Sequence, residues 1–208
     1  MSSSTSDKHP YHHGDLRNAL LDAARTLAQE QGADSITLRE VARRAGVSHT
    51  AAYHHFADKN DLLRALAVQA FHDLNEVQQK RIARGGDLAE TLEGLTVDYL
   101  EFARARRAEF TFMWRRELCM PDGEPDPLKD VQLASQTLIT EFLVSRQGLD
   151  LAPAADPGLA TLAYWSLSHG FAMIILETPA FKHAPAEQVE FLARASVQQL
   201  LAGIAQPA

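Results

Sequence analysis

The chain has 208 residues, 46% of them apolar and 23% charged, and a formal net charge of −7. This composition excludes a disordered chain, a collagen and a coiled-coil rod, and a chain this long buries roughly 70% of its unfolded surface without staples. Its single cysteine, Cys119, excludes a disulfide framework and a Cys-rich zinc or iron–sulfur site, and fits a reducing compartment. The first ten residues lack the apolar core of a signal peptide. The longest unbroken apolar run, Phe171 to Leu176, falls far below the ~20 residues that span a bilayer. A soluble, cytoplasmic protein with no membrane partner is expected. Charge is uneven. The first 75 residues hold 8 Lys and Arg against 9 Asp and Glu, and the remainder 12 against 18. The acidic excess therefore sits in the back of the chain, and the front can present a local basic face.

Residues 1–13 are polar and without periodicity and read as a tail; His9, His12 and His13 lack a fourth ligand, so no metal site is expected. Everything after reads as helix. Leu16, Leu20, Ala23 and Leu27 recur at helical spacing before Gly32. Thr37 and Glu40 have the form of a capping box that opens a short helix over roughly 38–45. Gly46 ends it, and Ser48 can cap a second short helix over roughly 49–55. Asp58 caps a longer helix with Leu62, Leu63, Leu66, Ala70, Phe71 and Leu74 on one broad face. Gly85-Gly86 breaks that pattern, and Asp87 starts another helix carrying Leu92, Leu95, Tyr99 and Phe102. An aromatic helix over about 108–118, a Pro-rich loop, and a helix of about twenty residues reaching Gly148 follow. Asp156 and Pro157 open a helix near 157–177, and a last helix runs near 185–203. The expected fold is all-α with about nine helices: a tail over 1–13, a three-helix helix-turn-helix unit over 14–60, and a C-terminal bundle over 61–208.

The segment Thr37 to Phe56 is the informative one. Val41, Ala45, Val47 and Ala52 can close the corner between two short helices that meet at Gly46, a helix-turn-helix pattern. At about 100° per residue, His49, Thr50, Tyr53 and His54 share one face of the second helix. A polar face on a short helix after a tight turn is what entry into a major groove requires. Arg43, Arg44 and Lys59 surround it, and residues 35–60 hold four basic and two acidic side chains.

From about Tyr11 to Leu63 the sequence closely resembles the DNA-binding domain of the tetracycline-repressor (TetR) family of bacterial regulators. The matching strings are Thr37-Leu-Arg-Glu-Val-Ala, Ala45-Gly-Val-Ser48, Tyr53-His-His-Phe56 and Asp58-Lys-x-Asp-Leu-Leu63. The resemblance implies a DNA-contacting set of Thr37, Arg44, Ser48, His49, Thr50, Tyr53, His54 and Lys59. Thr37 would cap a helix beside a phosphate. His49, Thr50 and His54 would face bases or backbone, Tyr53 and Lys59 would hold phosphates, and His55 and Phe56 would pack inside. His49 stands where Lys, Pro or Arg is common, and Ala52 where a larger apolar residue is usual. Further on, Trp165-Ser-Leu-Ser-His-Gly170 resembles the Trp-x-x-x-His-Gly signature of one subgroup's C-terminal domain, and Tyr11-His-His-Gly-Asp-Leu16 resembles that subgroup's start.

Trp165, His169 and Met173 are spaced four apart along one helix. His169 fits either a satisfied core histidine or one lining a pocket, and the aromatic run Phe110 to Trp114 is core first and pocket second. As a pocket, Phe102, Phe110, Met113, Trp114, Trp165, His169 and Met173 would suit a small apolar or aromatic effector, with His169 as polar handle. The helix after Pro157 is apolar nearly all round, so its outer face needs a cover. A two-fold pairing of the helices 157–177 and 185–203 would supply one, and the resemblance implies the same homodimer, with recognition helices about one DNA turn, ~34 Å, apart or somewhat more. The leading reading is a dimeric regulator, usually a repressor, acting on a palindromic double-stranded DNA operator and released by its effector, with no cofactor. The alternatives are an architectural DNA binder without effector and an all-helical enzyme, against which stand the lack of a metal cluster, a nucleophile–base pair or a phosphate loop.

Overall fold

The computed structural model of the protein describes residues 13–120, 124–152, 154–181 and 183–204. Nine α-helices follow in order among them: α1 (His13–Gln31), α2 (Leu38–Arg44), α3 (His49–His55), α4 (Lys59–Ala83), α5 (Leu88–Ala105), α6 (Arg107–Phe112), α7 (Pro127–Arg146), α8 (Pro157–Glu177) and α9 (Ala186–Ile204). The described residues contain no strand, only a single bridge between Gln147 and Leu151. The tail expected over 1–13, with His9 and His12, lies outside them apart from His13, where α1 begins.

Helix starts follow the local chemistry closely. Thr37 and Glu40 form the expected capping box, and Ser48, Asp58, Asp87 and Asp156 each accept a backbone N–H of the first turn they precede. Each such bond satisfies one of the donors that a helix start leaves unpaired. The aromatic helix expected over 108–118 is instead broken: α6 stops at Phe112, and a 3-10 turn occupies Arg116–Leu118. Tertiary contacts hold the break, because Arg64 of α4 donates to the Leu118 carbonyl at 2.6 Å and so draws this stretch off the helix axis.

Leu20, Leu21, Ile36, Val41, Ala52 and Phe56 close the corner of the three N-terminal helices. Their core does not stop there. It runs without a gap along Leu66, Phe71 and Leu74 of α4 into Phe110 and Phe112 of α6. A second cluster, with Leu92, Leu95, Ile139, Leu143, Tyr164 and Val197, fills the far end of the bundle. α8 is, among the described residues, the one helix long and apolar enough to cross a membrane. Its inner face, with Ala160, Tyr164, Ala172 and Ile175, lies in the core, while Leu159, Leu162 and Ile174 stay exposed, as does Phe191 of α9. An interior helix with one uncovered apolar face is the arrangement the sequence led us to expect. Leu200 of α9 packs partly buried on the second cluster.

Candidate nucleic-acid interface and effector cavity

The turn before α3 is fixed by backbone bonds. Gly46 adopts φ +71°; its N–H donates to the Arg43 carbonyl at 3.3 Å, and Val47 donates to Ala42 at 3.0 Å. This is the Schellman ending of α2, which needs a left-handed residue at the position Gly46 fills. Ala52 and Phe56 are buried, so α3 is clamped by one face. His49, Thr50, Tyr53 and His54 all lie on the opposite, exposed face. The rings of His49 and Tyr53 meet edge to face at 4.7 Å between centroids. The small Ala52 is wholly buried against the N-terminal core.

The other expected DNA contacts are engaged within the chain. The Thr37 hydroxyl accepts from the Glu40 N–H at 3.2 Å and lies 2.9 Å from the Glu40 carboxylate. Ser48 Oγ accepts from the Ala51 N–H at 3.1 Å. Arg44 makes a two-pronged pair with Glu30 of α1, both bonds at 2.6 Å; the pairing holds the Glu30 carboxyl below its usual range and the guanidinium above its own. Lys59 Nζ donates to the Asp34 carbonyl at 2.6 Å, which leaves its other two protons free for an anion. The sequence reading missed Asp34, whose carboxylate accepts two bonds from Arg115, at 2.6 and 3.2 Å. An ion pair between the α1–α2 turn and the segment after α6 has no local signature, since 81 residues separate its partners. A second link of the same kind is buried. Glu109 of α6 is fully inaccessible and lies 3.2 Å from Arg25 Nε of α1, without the alignment of a hydrogen bond. Its loss of solvent raises its pKa more than the cations Arg25 and Arg106 lower it.

Between α4, α5, α7 and α8, beside Trp114, lies a cavity of about 30 Å³. Two of the seven residues expected around an effector, Trp114 and Trp165, line it, with ring centroids 5.8 Å apart. Phe102, Phe110 and Met113 are core residues behind that wall. Met173 faces solvent, for a geometric reason: each four-residue step advances about 40° around a helix, so two steps from Trp165 turn the side chain off the inner face. His169 stands one layer back, stacked on Trp165 at 5.6 Å, with Nδ1 2.9 Å from the Tyr99 hydroxyl. Burial lowers its pKa, which favours the neutral ring. The polar handle assigned to His169 is thus taken up inside the wall.

What the sequence reading missed is the polar part of the lining, including Gln78, Ser135, Thr161, Tyr164 and Ser168. Gln78 could have been found, because it extends the buried stripe of α4 one step of four beyond Leu74. The α7 residues could not, because a Ser or Gln on a helix reads as solvated until its neighbour is known. Tyr164 donates to the Leu92 carbonyl at 3.2 Å and accepts from Thr96 at 3.1 Å. Burial pushes its phenol up to about 12 and that of Tyr99 well up.

A short helix with an exposed hydrogen-bonding face, set by a tight turn on a three-helix unit and continuous with a helical bundle, defines a helix-turn-helix DNA-binding protein. Comparison with known proteins gives the family. Residues 20–66 match the bacterial regulatory proteins of the tetR family, and residues 92–200 match the tetracyclin repressor-like C-terminal domain. The chain belongs to the TetR family and is a DNA-binding transcriptional regulator.

It is similar to the HTH-type transcriptional repressor BepR of Brucella suis, 34% identical over 119 residues and 56% of each chain. It also resembles the repressor KstR2 of Rhodococcus jostii, 34% identical over 85 residues, which are 41% of this chain and 42% of that one. The matched segments thus span about half the length of these two relatives. A protein of unknown function from Rhodococcus sp. RHA1 superposes with a TM-score of 0.79 at 29% identity, covering 96% of this chain and all of that one. The fatty acid degradation regulator FadR of Bacillus halodurans shares the fold, with a TM-score of 0.72 at 19% identity over 95% of this chain and 98% of that one.

Proposed function

We propose that the protein is a cytoplasmic, homodimeric repressor of a palindromic operator, released from DNA when a small molecule enters the cavity beside Trp114. The DNA-binding unit is residues 14–60 and the effector and dimer unit 61–208. His49, Thr50 and His54 read bases or backbone; Tyr53, Lys59 and the start of α2 at Thr37 hold phosphates; Arg44 and Ser48 hold the geometry. The exposed stripes of α8 and α9, including Leu162 and Phe191, meet their two-fold copies, which sets the spacing of the recognition helices.

The observation that carries this reading is the adjacency of Trp114 and Arg115. One lines the cavity, and the next grips Asp34 of the DNA-binding unit. The cavity has room for only one or two waters, whereas small-molecule pockets hold some 300 Å³ or more. An effector must therefore move the walls, and moving Trp114 pulls on Arg115. The form with the closed cavity and the intact Asp34 pair would bind DNA, and the effector selects the other form by binding it more tightly.

Selection of bound sequences from random DNA should return a two-fold symmetric site. Removal of the tether in Arg115→Ala or Asp34→Ala should weaken that binding about two- to fivefold, the most that a partly exposed ion pair supplies. A double-mutant cycle should give less than the sum. An asymmetric site, or a tether whose loss leaves affinity unchanged, overturns the reading.

A further inference from the structure

The cavity wall is uncharged. Among the described residues its lining holds no Asp, Glu, Lys, Arg or His, and its two phenols are held far from ionisation by burial. A charged ligand would lose its water there without gaining a counter-charge.

Most of the wall's polar groups are also spoken for. Ser135 donates to Gln78 Oε1 at 3.1 Å. Thr161 and Thr140 share a bond of 2.9 Å, and Ser168 and Thr96 one of 3.1 Å. Gln132 Nε2 donates to the Met113 carbonyl at 3.4 Å.

One group differs. The indole N–H of Trp114 is buried and has no hydrogen-bond partner. Buried donors are almost always paired, and an orphan calls for an explanation by ligand, ion or water. Trp114 and Trp165 line the cavity together with Tyr99 and Tyr164, and an aromatic wall suits a flat aromatic partner.

Resting on the reading of this cavity as the effector site, we propose that its ligand is an uncharged aromatic molecule that presents a hydrogen-bond acceptor, such as a ketone or ether oxygen, to the Trp114 indole N–H. The acceptor fixes the ligand's orientation, and the hydrogen bond makes Trp114, rather than His169, the group through which the ligand is recognised. Carboxylates, phosphates and ammonium compounds of similar shape are rejected by the uncharged wall.

The test uses three probes of matched size on the full chain: 2-acetonaphthone, 2-isopropylnaphthalene and 2-naphthoate, titrated by calorimetry. The ketone should bind about tenfold more tightly than the hydrocarbon, the usual scale for a buried donor left unpaired. It should exceed the naphthoate by about as much or more. Trp114→Phe, which keeps a ring, should shrink the ketone's advantage over the hydrocarbon to within about threefold. A second readout needs no change at Trp114. The chain has two tryptophans, so two indole N–H resonances are present, and Trp165→Phe identifies them. That of Trp114 should move downfield with the ketone and not with the hydrocarbon. Equal or tighter binding of naphthoate, equal binding of the hydrocarbon, or a ketone-bound protein whose Trp114 N–H does not move would each overturn the ligand class while leaving the effector cavity standing. No binding of any of the three would overturn the effector reading and this inference together.

Discussion

Gly46 holds the turn that aims α3, and the structure allows the cost of changing it to be worked out. A Cβ built there meets no atom within 4 Å, so substitution produces no clash. What remains is the backbone, at φ +71°. A left-handed conformation costs an L-residue about 1–2 kcal/mol, and a side chain that narrows the unfolded ensemble returns part of it. Gly46→Ala should therefore destabilise by about 1 kcal/mol, a fall in Tm of about 2–4 °C for a chain of this size. Asn tolerates this conformation better than Ala, and a β-branched residue tolerates it worse. The expected order of thermal stability is Gly46, then Asn, then Ala, then Val, read by helical circular dichroism. Because the space is open, α3 keeps its place, and DNA affinity well below Tm should change less than about twofold for Asn and Ala. A loss above about 3 kcal/mol for Ala, or Asn costing more than Ala, would refute the reasoning, since either result means that contacts rather than backbone strain decide the turn.

Lys59→Ala should reduce the salt dependence of DNA binding by about one unit of log–log slope; an unchanged slope removes Lys59 from the phosphate contacts. Leu162→Glu and Phe191→Glu put charges on the exposed stripes of α8 and α9, at several kcal/mol per dimer if unpaired, and should sediment as monomers; persistence of the dimer in both moves the interface elsewhere. His169 has its pKa lowered by burial, so the unfolded chain binds its proton first as pH falls. Its contribution to stability is complete above the unfolded value of ~6.5 and is lost as pH drops toward the folded value. Denaturant unfolding at about pH 7.5 and 5.5 should find the wild type losing ground to His169→Gln at the lower pH, and a constant difference would contradict the burial argument. Glu109 has the opposite sense: its raised pKa means that its charged form burdens the folded state. Glu109→Gln should therefore gain relative to wild type as pH rises above about 4.5, and a relative loss would mean that Arg25 and Arg106 outweigh desolvation.

The elements that depend on short-range chemistry were legible in the sequence. Thr37, Ser48, Asp58, Asp87 and Asp156 cap the helices they precede, because a cap needs only the next three residues. Gly46 marks the turn for the same reason, and the 3.6-residue period separates the exposed His49, Thr50, Tyr53 and His54 from the buried Ala52. The break after Phe112 was not legible, because its cause, the bond from Arg64 to the Leu118 carbonyl, bridges 54 residues. Nor was the cavity. Periodicity says that a side chain turns inward but not which neighbour fills the space before it, so Phe110 and Met113 became packing, Met173 surface, and Gln78 and Ser135 the wall. The sequence by itself determined most of the helices, their order and which face of α3 stays exposed. Tertiary structure alone decided which residues enclose the cavity and that Arg115 reaches Asp34. Both depend on distances between segments far apart in the chain, and those distances are settled when the helices pack against one another.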